Sequence, residues 1–156
     1  MGKFDSLLQE LEQQEKDLQF KEFTNETALE LGTLLIQEAK KNGHKITIDI
    51  MRNGHQLFHY AFEGTGPDND RWIKGKVKVS NLMNHSSYHC QVYFENREKT
   101  IEEDFHLSHL EYLPYGGSFP IMIANVGMVG SITVSGLASD EDHRFVTGVI
   151  KKFLNK

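Results

Sequence analysis

The segment from residue 115 to residue 143 constrains the fold more than any other part of the chain. It contains two predicted strands, residues 119–124 and 128–135, separated by an Asn-Val-Gly turn. In the second strand, apolar and hydroxyl side chains alternate, so the two faces of the strand differ in polarity. Gly136 then predicts a break in the backbone before the last helix. The segment therefore predicts an antiparallel strand pair that leads directly into a helix.

Three further patterns predict helices that bury one face. Residues 4–18 have an apolar stripe among acidic side chains, which predicts an amphipathic helix that docks on the domain or on a second subunit. Thr24 predicts the cap of a second helix, and Gly43 predicts its end. Ser139 and Asp142 stand three residues apart and predict a capping box for the last helix.

A second strand pair is predicted around Asn53-Gly54, because an Asn-Gly pair is the strongest short signal for a hairpin. Residues 46–51 alternate apolar with more polar side chains. Residues 57–62 carry apolar groups on both faces, which predicts a strand that lies inside a covered sheet.

Lys76 conflicts with its surroundings. Residues 70–85 suit either an exposed strand or a helix, and we favour a helix capped near residue 70. At helical spacing Lys76 falls beside Trp72, Val79 and Met83. A lysine among apolar neighbours must extend to water or find an anion. We therefore single out Lys76 as a candidate for a ligand-binding role or a buried ion pair.

The composition narrows the class of protein. The 156 residues suit one domain, spanning residues 1–156, with residues 1–20 as an N-terminal docking helix. A net charge of −5 disfavours general nucleic-acid binding, which needs a basic surface. Cys90 is the only cysteine, which excludes an internal disulfide. No apolar run has the length of a membrane span and the acidic N-terminus is unlike a signal peptide, so we predict a cytoplasmic protein.

The histidines do not predict a metal site. His85 and His89 are four residues apart, and His106 and His109 are three apart, so either pair could share a helix face. No His-Glu-x-x-His motif or thiolate cluster accompanies them. We interpret them as surface or hydrogen-bonded histidines and predict no bound metal.

The remaining candidates lie near the ends of the predicted strands. His143 follows Asp142 at the predicted start of the last helix, where a histidine can be a bystander or an acid or base. Gly117 and Gly136 can be turn or packing glycines, or they can clear space for a flat ligand. No nucleophile elbow, phosphate-binding loop or dinucleotide-binding motif is present.

Several of these residues occur in an order that resembles the haem-degrading-domain family, often called GlcG/HbpS-like. The matching runs are GGSFPI, a glycine-containing turn, VGSITVSGL, and the Asp142-His143 pair that opens the last helix. The SGL run followed by Asp-His, together with Trp72, Lys76 and a Ser-Ser pair, is similar to an "uncharacterised protein family" branch. The wider family has Gly-Gly and Asp-Glu in place of Gly-Leu and Asp-His. The resemblance covers most of residues 20–155.

The resemblance implies a profilin-like α/β (α+β layered) fold, with a central antiparallel sheet of about five strands flanked by helices. It also implies a homo-oligomer built from dimers. Some members of the family bind haem, so haem is the cofactor that the resemblance suggests. The family name records haem degradation, but the resemblance does not establish an activity for this branch.

We weigh three functions. The first is a small-molecule-binding protein for haem or another flat anionic ligand, in which Lys76 neutralises a carboxylate and Trp72 stacks on the ligand. The second is a homo-oligomeric assembly module without catalytic activity. The third is an enzyme that uses His143 as acid or base. The candidate ligand-binding residues are Trp72, Lys76, Gly117, Ser135, Gly136 and His143.

Overall fold

The predicted patterns fold into six helices and four strands across residues 2–155, which are the residues that the computed structural model describes. In chain order the elements are α1 (Asp5–Asp17), α2 (Asn25–Asn42), β1 (Thr47–Arg52), β2 (His55–Ala61), α3 (Pro67–Met83), α4 (Ser87–Arg97), α5 (Ile101–Phe105), β3 (Ser118–Ile123), β4 (Gly127–Ser135) and α6 (Ser139–Phe153). The helix favoured for residues 70–85 is confirmed as α3, but the predicted cap near residue 70 is wrong, because Gly66 is the cap residue and Pro67 lies in the first turn.

The four strands form one antiparallel sheet in the order β2-β1-β4-β3. The prediction of a central antiparallel sheet flanked by helices is confirmed, but the prediction of about five strands is wrong. Beside β3, where a fifth strand would lie, Phe20 alone forms a bridge to Ile123. The other residues between α1 and α2 form a turn, a bend and irregular backbone, so the pairing does not extend.

The two faces of the sheet differ in polarity, as the alternation in β4 predicts. One face is a row of fully buried apolar side chains, including Ile48, Ile132 and Val134, which belong to one core with α2 and α6. The other face carries buried hydroxyl and carboxylate groups and is covered by α3. The polar residues of that face are Thr47, Asp49, Ser118, Ser131, Thr133 and Ser135.

Strand β2 contradicts the prediction that it lies inside a covered sheet. It is an edge strand, and five of its seven residues are exposed. One side chain explains part of the apolar pattern, because Phe58 packs where Gly32 of α2 has no side chain. Tyr60 remains 41% exposed.

Helix α1 packs along α4 through both apolar and polar contacts. Leu11 and Leu18 are buried. The Glu15 carboxylate accepts hydrogen bonds from the Ser86 N–H at 3.0 Å and pairs with His85 Nδ1 at 2.8 Å. Among the described residues, no helix is both long and apolar enough to cross a membrane.

The start of α6 also differs from its prediction. Ala138 occupies the cap position without a side-chain hydrogen bond, and Ser139 is the first helical residue, so the predicted capping box is wrong. The Asp142 carboxylate turns instead to the N–H of Leu137 at 3.0 Å. It is held there because its second oxygen contacts Lys76.

Candidate functional site

A polar cleft lies where the first turns of α3 meet the end of β4 and the start of α6. It is a cavity of about 380 Å³. Gly136 shapes it, because at φ 145° the chain leaves the sheet in a conformation that favours glycine. A Cβ at Gly136 would also lie 2.6 Å from the Lys45 carbonyl oxygen. The residues that line the polar cleft are Asp68, Asn69, Trp72, Lys76, Tyr115, Ser135, Gly136, Leu137, Ser139 and Asp142.

Lys76 and Asp142 form a buried ion pair at the base of the polar cleft. Lys76 is 3% exposed and Asp142 is 1% exposed. Lys76 Nζ donates to Asp142 Oδ2 and to the Val134 carbonyl oxygen, both at 3.0 Å. The pair therefore joins α3, β4 and α6 at one point, and the sequence conflict at Lys76 reflects a buried charge.

Burial acts on both members of this pair. It raises the pKa of Asp142 to about 6, against the attraction of Lys76, which favours the carboxylate. It also holds the pKa of Lys76 below its usual range, against the attraction of Asp142. Because Asp142 already compensates the charge of Lys76, a ligand carboxylate would have to displace Asp142 to pair with this lysine.

Gly117 lies beneath the lysine rather than on the wall of the cleft. Its φ is 139°, and a Cβ at this position would lie 2.6 Å from Lys76 Nζ and 2.5 Å from the Val134 carbonyl oxygen. The absence of a side chain at Gly117 is therefore what leaves room for the buried amine.

An aromatic wall made by Trp72 and Tyr115 forms one side of the cleft. Their rings meet edge to face, with centroids 5.5 Å apart. Opposite them, the Ser135 hydroxyl accepts a hydrogen bond from Asn69 Nδ2 at 3.3 Å. Sequence reasoning missed Tyr115 and Asn69, because only the fold brings the irregular segment before β3 against α3.

An apolar groove of about 690 Å³ lies on the other side of the same aromatic wall. Its floor includes Phe94, Ile101 and Leu113, all of which are buried. Its rim carries the imidazole of His109 and charged residues of both signs: Arg71, Lys99, Glu95, Glu98 and Glu103. Trp72 and Tyr115 line both cavities, so the polar cleft and the apolar groove share a wall.

His143 lies away from the polar cleft. It is 3% exposed, its Nε2–H donates to Gln14 Oε1 of α1 at 2.8 Å, and its ring lies 4.9 Å from that of Tyr88. Burial lowers the pKa of His143 to about 4, so the imidazole is neutral near pH 7. The structure thus brings Trp72, Lys76 and Ser135 together but not His143. The reason is helical geometry, since neighbouring residues on α6 point about 100° apart.

Three of the four paired histidines, His85, His89 and His109, each contact a glutamate carboxylate. The rings of His85 and His89 stack with centroids 3.8 Å apart and contact Glu15 and Glu12 of α1. His109 Nδ1 contacts Glu102 Oε1 at 2.7 Å. Within residues 2–155, no group of three or more His, Cys, Asp or Glu side chains is arranged to hold a metal ion.

Comparison with known proteins identifies the family. The family model described as "Haem degrading protein HbpS-like" matches residues 23–151. The chain belongs to this HbpS-like family. A UPF0303 protein of Streptomyces coelicolor is 44% identical over 147 residues, covering 94% of this chain and 93% of the relative. The resemblance predicted from the sequence is therefore confirmed, including the UPF branch.

Solved structures agree with the fold. The crystal structure of the Ybr137w protein is 34% identical and superposes with a TM-score of 0.89, covering 95% of this chain and 87% of that one. The crystal structure of a PduOC:heme complex has a TM-score of 0.67 at 11% identity, covering 82% of this chain and 92% of that one. At this identity the second likeness shows the fold alone.

Proposed function

We propose that this protein binds a flat, partly apolar small molecule against the wall formed by Trp72 and Tyr115. The observation that carries the proposal is that this one wall serves two cavities, one polar and one apolar. Ligand sites are typically concave and mostly apolar, with a few polar groups that fix orientation. The apolar groove supplies the surface for a ring system, and the polar cleft supplies hydrogen-bonding groups at its edge.

Haem is the first ligand to test. The family model is named for haem degradation, and a protein of similar fold was crystallised with haem. The groove residues fit such a group, because the buried floor is apolar and Arg71 and Lys99 on the rim can pair with propionate carboxylates. These two cations replace Lys76 as the expected carboxylate partners, since both are exposed whereas Lys76 is buried against Asp142. Arg71 Nε contacts Asp68 Oδ1 at 2.8 Å, but this pair is exposed and can exchange for a propionate.

His109 is the imidazole that we expect to contact haem iron. Among the described residues that line the apolar groove, it is the only histidine. Its Nδ1 contacts Glu102 Oε1 at 2.7 Å, which leaves Nε2 for a ligand. A carboxylate partner of this kind orients a metal-binding histidine and raises its basicity.

A hemin titration tests this proposal. Trp72 is the only tryptophan of the chain, so quenching of its fluorescence reports hemin binding alongside the Soret band, and the Tyr115 variant locates the site. We expect Tyr115→Ala to weaken binding by about tenfold, in line with the loss of one aromatic contact. Leu29→Ala is the matched control, because Leu29 is an exposed apolar residue on α2.

The variants separate the outcomes. Hemin binding that Tyr115→Ala leaves unchanged would place haem elsewhere and contradict the proposed site. His109→Ala should change the position of the Soret band, and an unchanged band would exclude His109 as the iron ligand.

A second function, assembly with copies of itself, is favoured by the exposure of strand β2. An edge strand presents unpaired backbone groups that a second chain can pair with. We propose a homo-oligomer built from dimers, with β2 at the dimer interface. Light scattering of the purified protein tests it, and a monomeric mass at micromolar concentration contradicts it.

A further inference from the structure

Lys76 is a buried amine whose position calls for a chemical explanation. It is 3% exposed, yet it lines the polar cleft. Lysine is seldom buried unless it is paired, and a buried ion pair is weak evidence for stability because desolvation offsets the attraction. An apolar side chain could fill this position without burying a charge. The cleft gives a small molecule access to the amine, so we look for a chemical role of Lys76.

The surroundings of Lys76 suit a reactive amine. Gly117 leaves space where a Cβ would lie 2.6 Å from Nζ. The Asp142 carboxylate, 3.0 Å from Nζ, can take a proton from the ammonium group. Burial moves both pKa values towards the neutral forms, lowering that of Lys76 and raising that of Asp142. Lysines whose pKa is lowered by burial are the ones that form Schiff bases in enzymes.

We infer that Lys76 forms an imine with small aromatic aldehydes that enter the polar cleft. The inference rests on the same cleft and aromatic wall as the proposed function. An uncharged carbonyl compound is favoured, because Asp68 lines the cleft and the first turn of α6 carries Asp140 and Glu141. The rings of Trp72 and Tyr115 favour an aromatic substituent on the carbonyl carbon.

The reaction needs no redox partner. Asp142 first takes a proton from the Lys76 ammonium group, and the free amine attacks the carbonyl carbon while Asp142 returns that proton to the carbonyl oxygen. The nitrogen then passes one proton to Asp142, which protonates the hydroxyl group so that it leaves as water. The product is a protonated imine on Lys76 beside the ionised Asp142. In total, one ammonium group and one aldehyde give one iminium group and one water.

Reductive trapping on the full-length protein tests the inference. The protein is treated with benzaldehyde and sodium cyanoborohydride at about pH 7, and benzylated lysines are quantified by peptide mass spectrometry. Lys74 and Lys78 are internal controls, because both are exposed on the same helix. Exposed lysines are almost fully protonated at this pH, so we expect Lys76 to be labelled at least about tenfold faster. Labelling of Lys76 at or below the rate of Lys74 and Lys78 overturns the inference.

Two variants sharpen the result. Lys76→Arg keeps the charge and should lose only the label at this position. Asp142→Asn should lower the labelling rate of Lys76 by about tenfold, and an unchanged rate removes Asp142 as the proton carrier. If Asp142→Asn does not fold, the labelling rate of Lys76 relative to Lys74 and Lys78 in the protein without substitutions still tests the inference.

The hemin titration separates this inference from the proposed function. Hemin binding without preferential labelling of Lys76 overturns the imine and leaves the ligand site standing. Preferential labelling without hemin binding supports the imine and contradicts the choice of haem.

Discussion

At the scale of single residues, the Lys76–Asp142 pair is the strongest electrostatic feature of the polar cleft. Breaking a buried pair by removing one partner costs several kcal/mol, whereas replacing both partners costs much less. We expect Lys76→Met to lower the free energy of unfolding by about 3 kcal/mol, because Asp142 is then buried without its cation. Urea unfolding near pH 7 measures this loss.

The double variant Lys76→Met/Asp142→Asn is the matched comparison. Asn at this position retains an acceptor for the Leu137 N–H but carries no charge. We expect the double variant to recover at least about 1 kcal/mol relative to the sum of the two single losses. Strictly additive losses would show that the two groups do not interact.

His143 predicts a pH dependence of stability. Its pKa falls from 6.5 to about 4 on folding, so between these values the unfolded chain binds the proton more tightly than the folded protein. The stability associated with His143 is therefore fully present above about pH 6.5 and is lost as the pH falls towards 4. The shift corresponds to about 3 kcal/mol. Urea unfolding across this window measures it.

His143→Gln isolates this contribution. Other groups titrate in the same window, and the pKa of His85 is raised by its hydrogen bond to Glu15, which acts in the opposite direction. The difference between the two pH profiles removes these shared contributions. Parallel profiles for the two proteins would assign the pH dependence to groups other than His143.

At the scale of elements, α1 depends on one buried carboxylate for its position. Glu15 is 6% exposed and accepts from Ser86, whose own side chain caps α4. We expect Glu15→Ala to lower the free energy of unfolding by about 2 kcal/mol, because the N–H of Ser86 then loses its partner in a buried position. Hydrogen exchange should rise in α1 first. Glu10→Ala, an exposed change on the same helix, should have little effect, and equal effects of both changes would contradict this role of Glu15.

At the scale of the whole molecule, both faces of the sheet are covered by helices, but its edge at β2 is open. Tyr60 is 41% exposed on that edge, so pairing with a second copy would bury it. With β2 at the proposed dimer interface, we expect Tyr60→Lys to lower the mass of the protein in solution towards that of a monomer, since lysine on an edge opposes strand pairing. Analytical ultracentrifugation measures the change. Leu82→Lys on α3 is the control, and an identical shift in that variant would remove β2 as the interface.

The sequence by itself determined most of the elements and the polarity of their faces. Local signals such as the Asn53-Gly54 turn, the Thr24 cap and the alternation along β4 depend on backbone preferences within a few residues. The lysine at residue 76 was also evident, because its charge conflicts with an apolar stripe whatever lies opposite. These features needed no information about distant parts of the chain.

Only the tertiary structure decided which of the candidate site residues lie close together. Lys76 and Asp142 are 66 positions apart, and their contact depends on how α3 crosses the end of β4. The edge position of β2 follows from strand order, which a pattern along one strand does not contain. His143 turned away for a similar reason, since the packing of α6 against α2 and the sheet sets which of two neighbouring side chains faces the cleft. Each of these outcomes depends on packing between distant parts of the chain, and local sequence preferences contain no information about such packing.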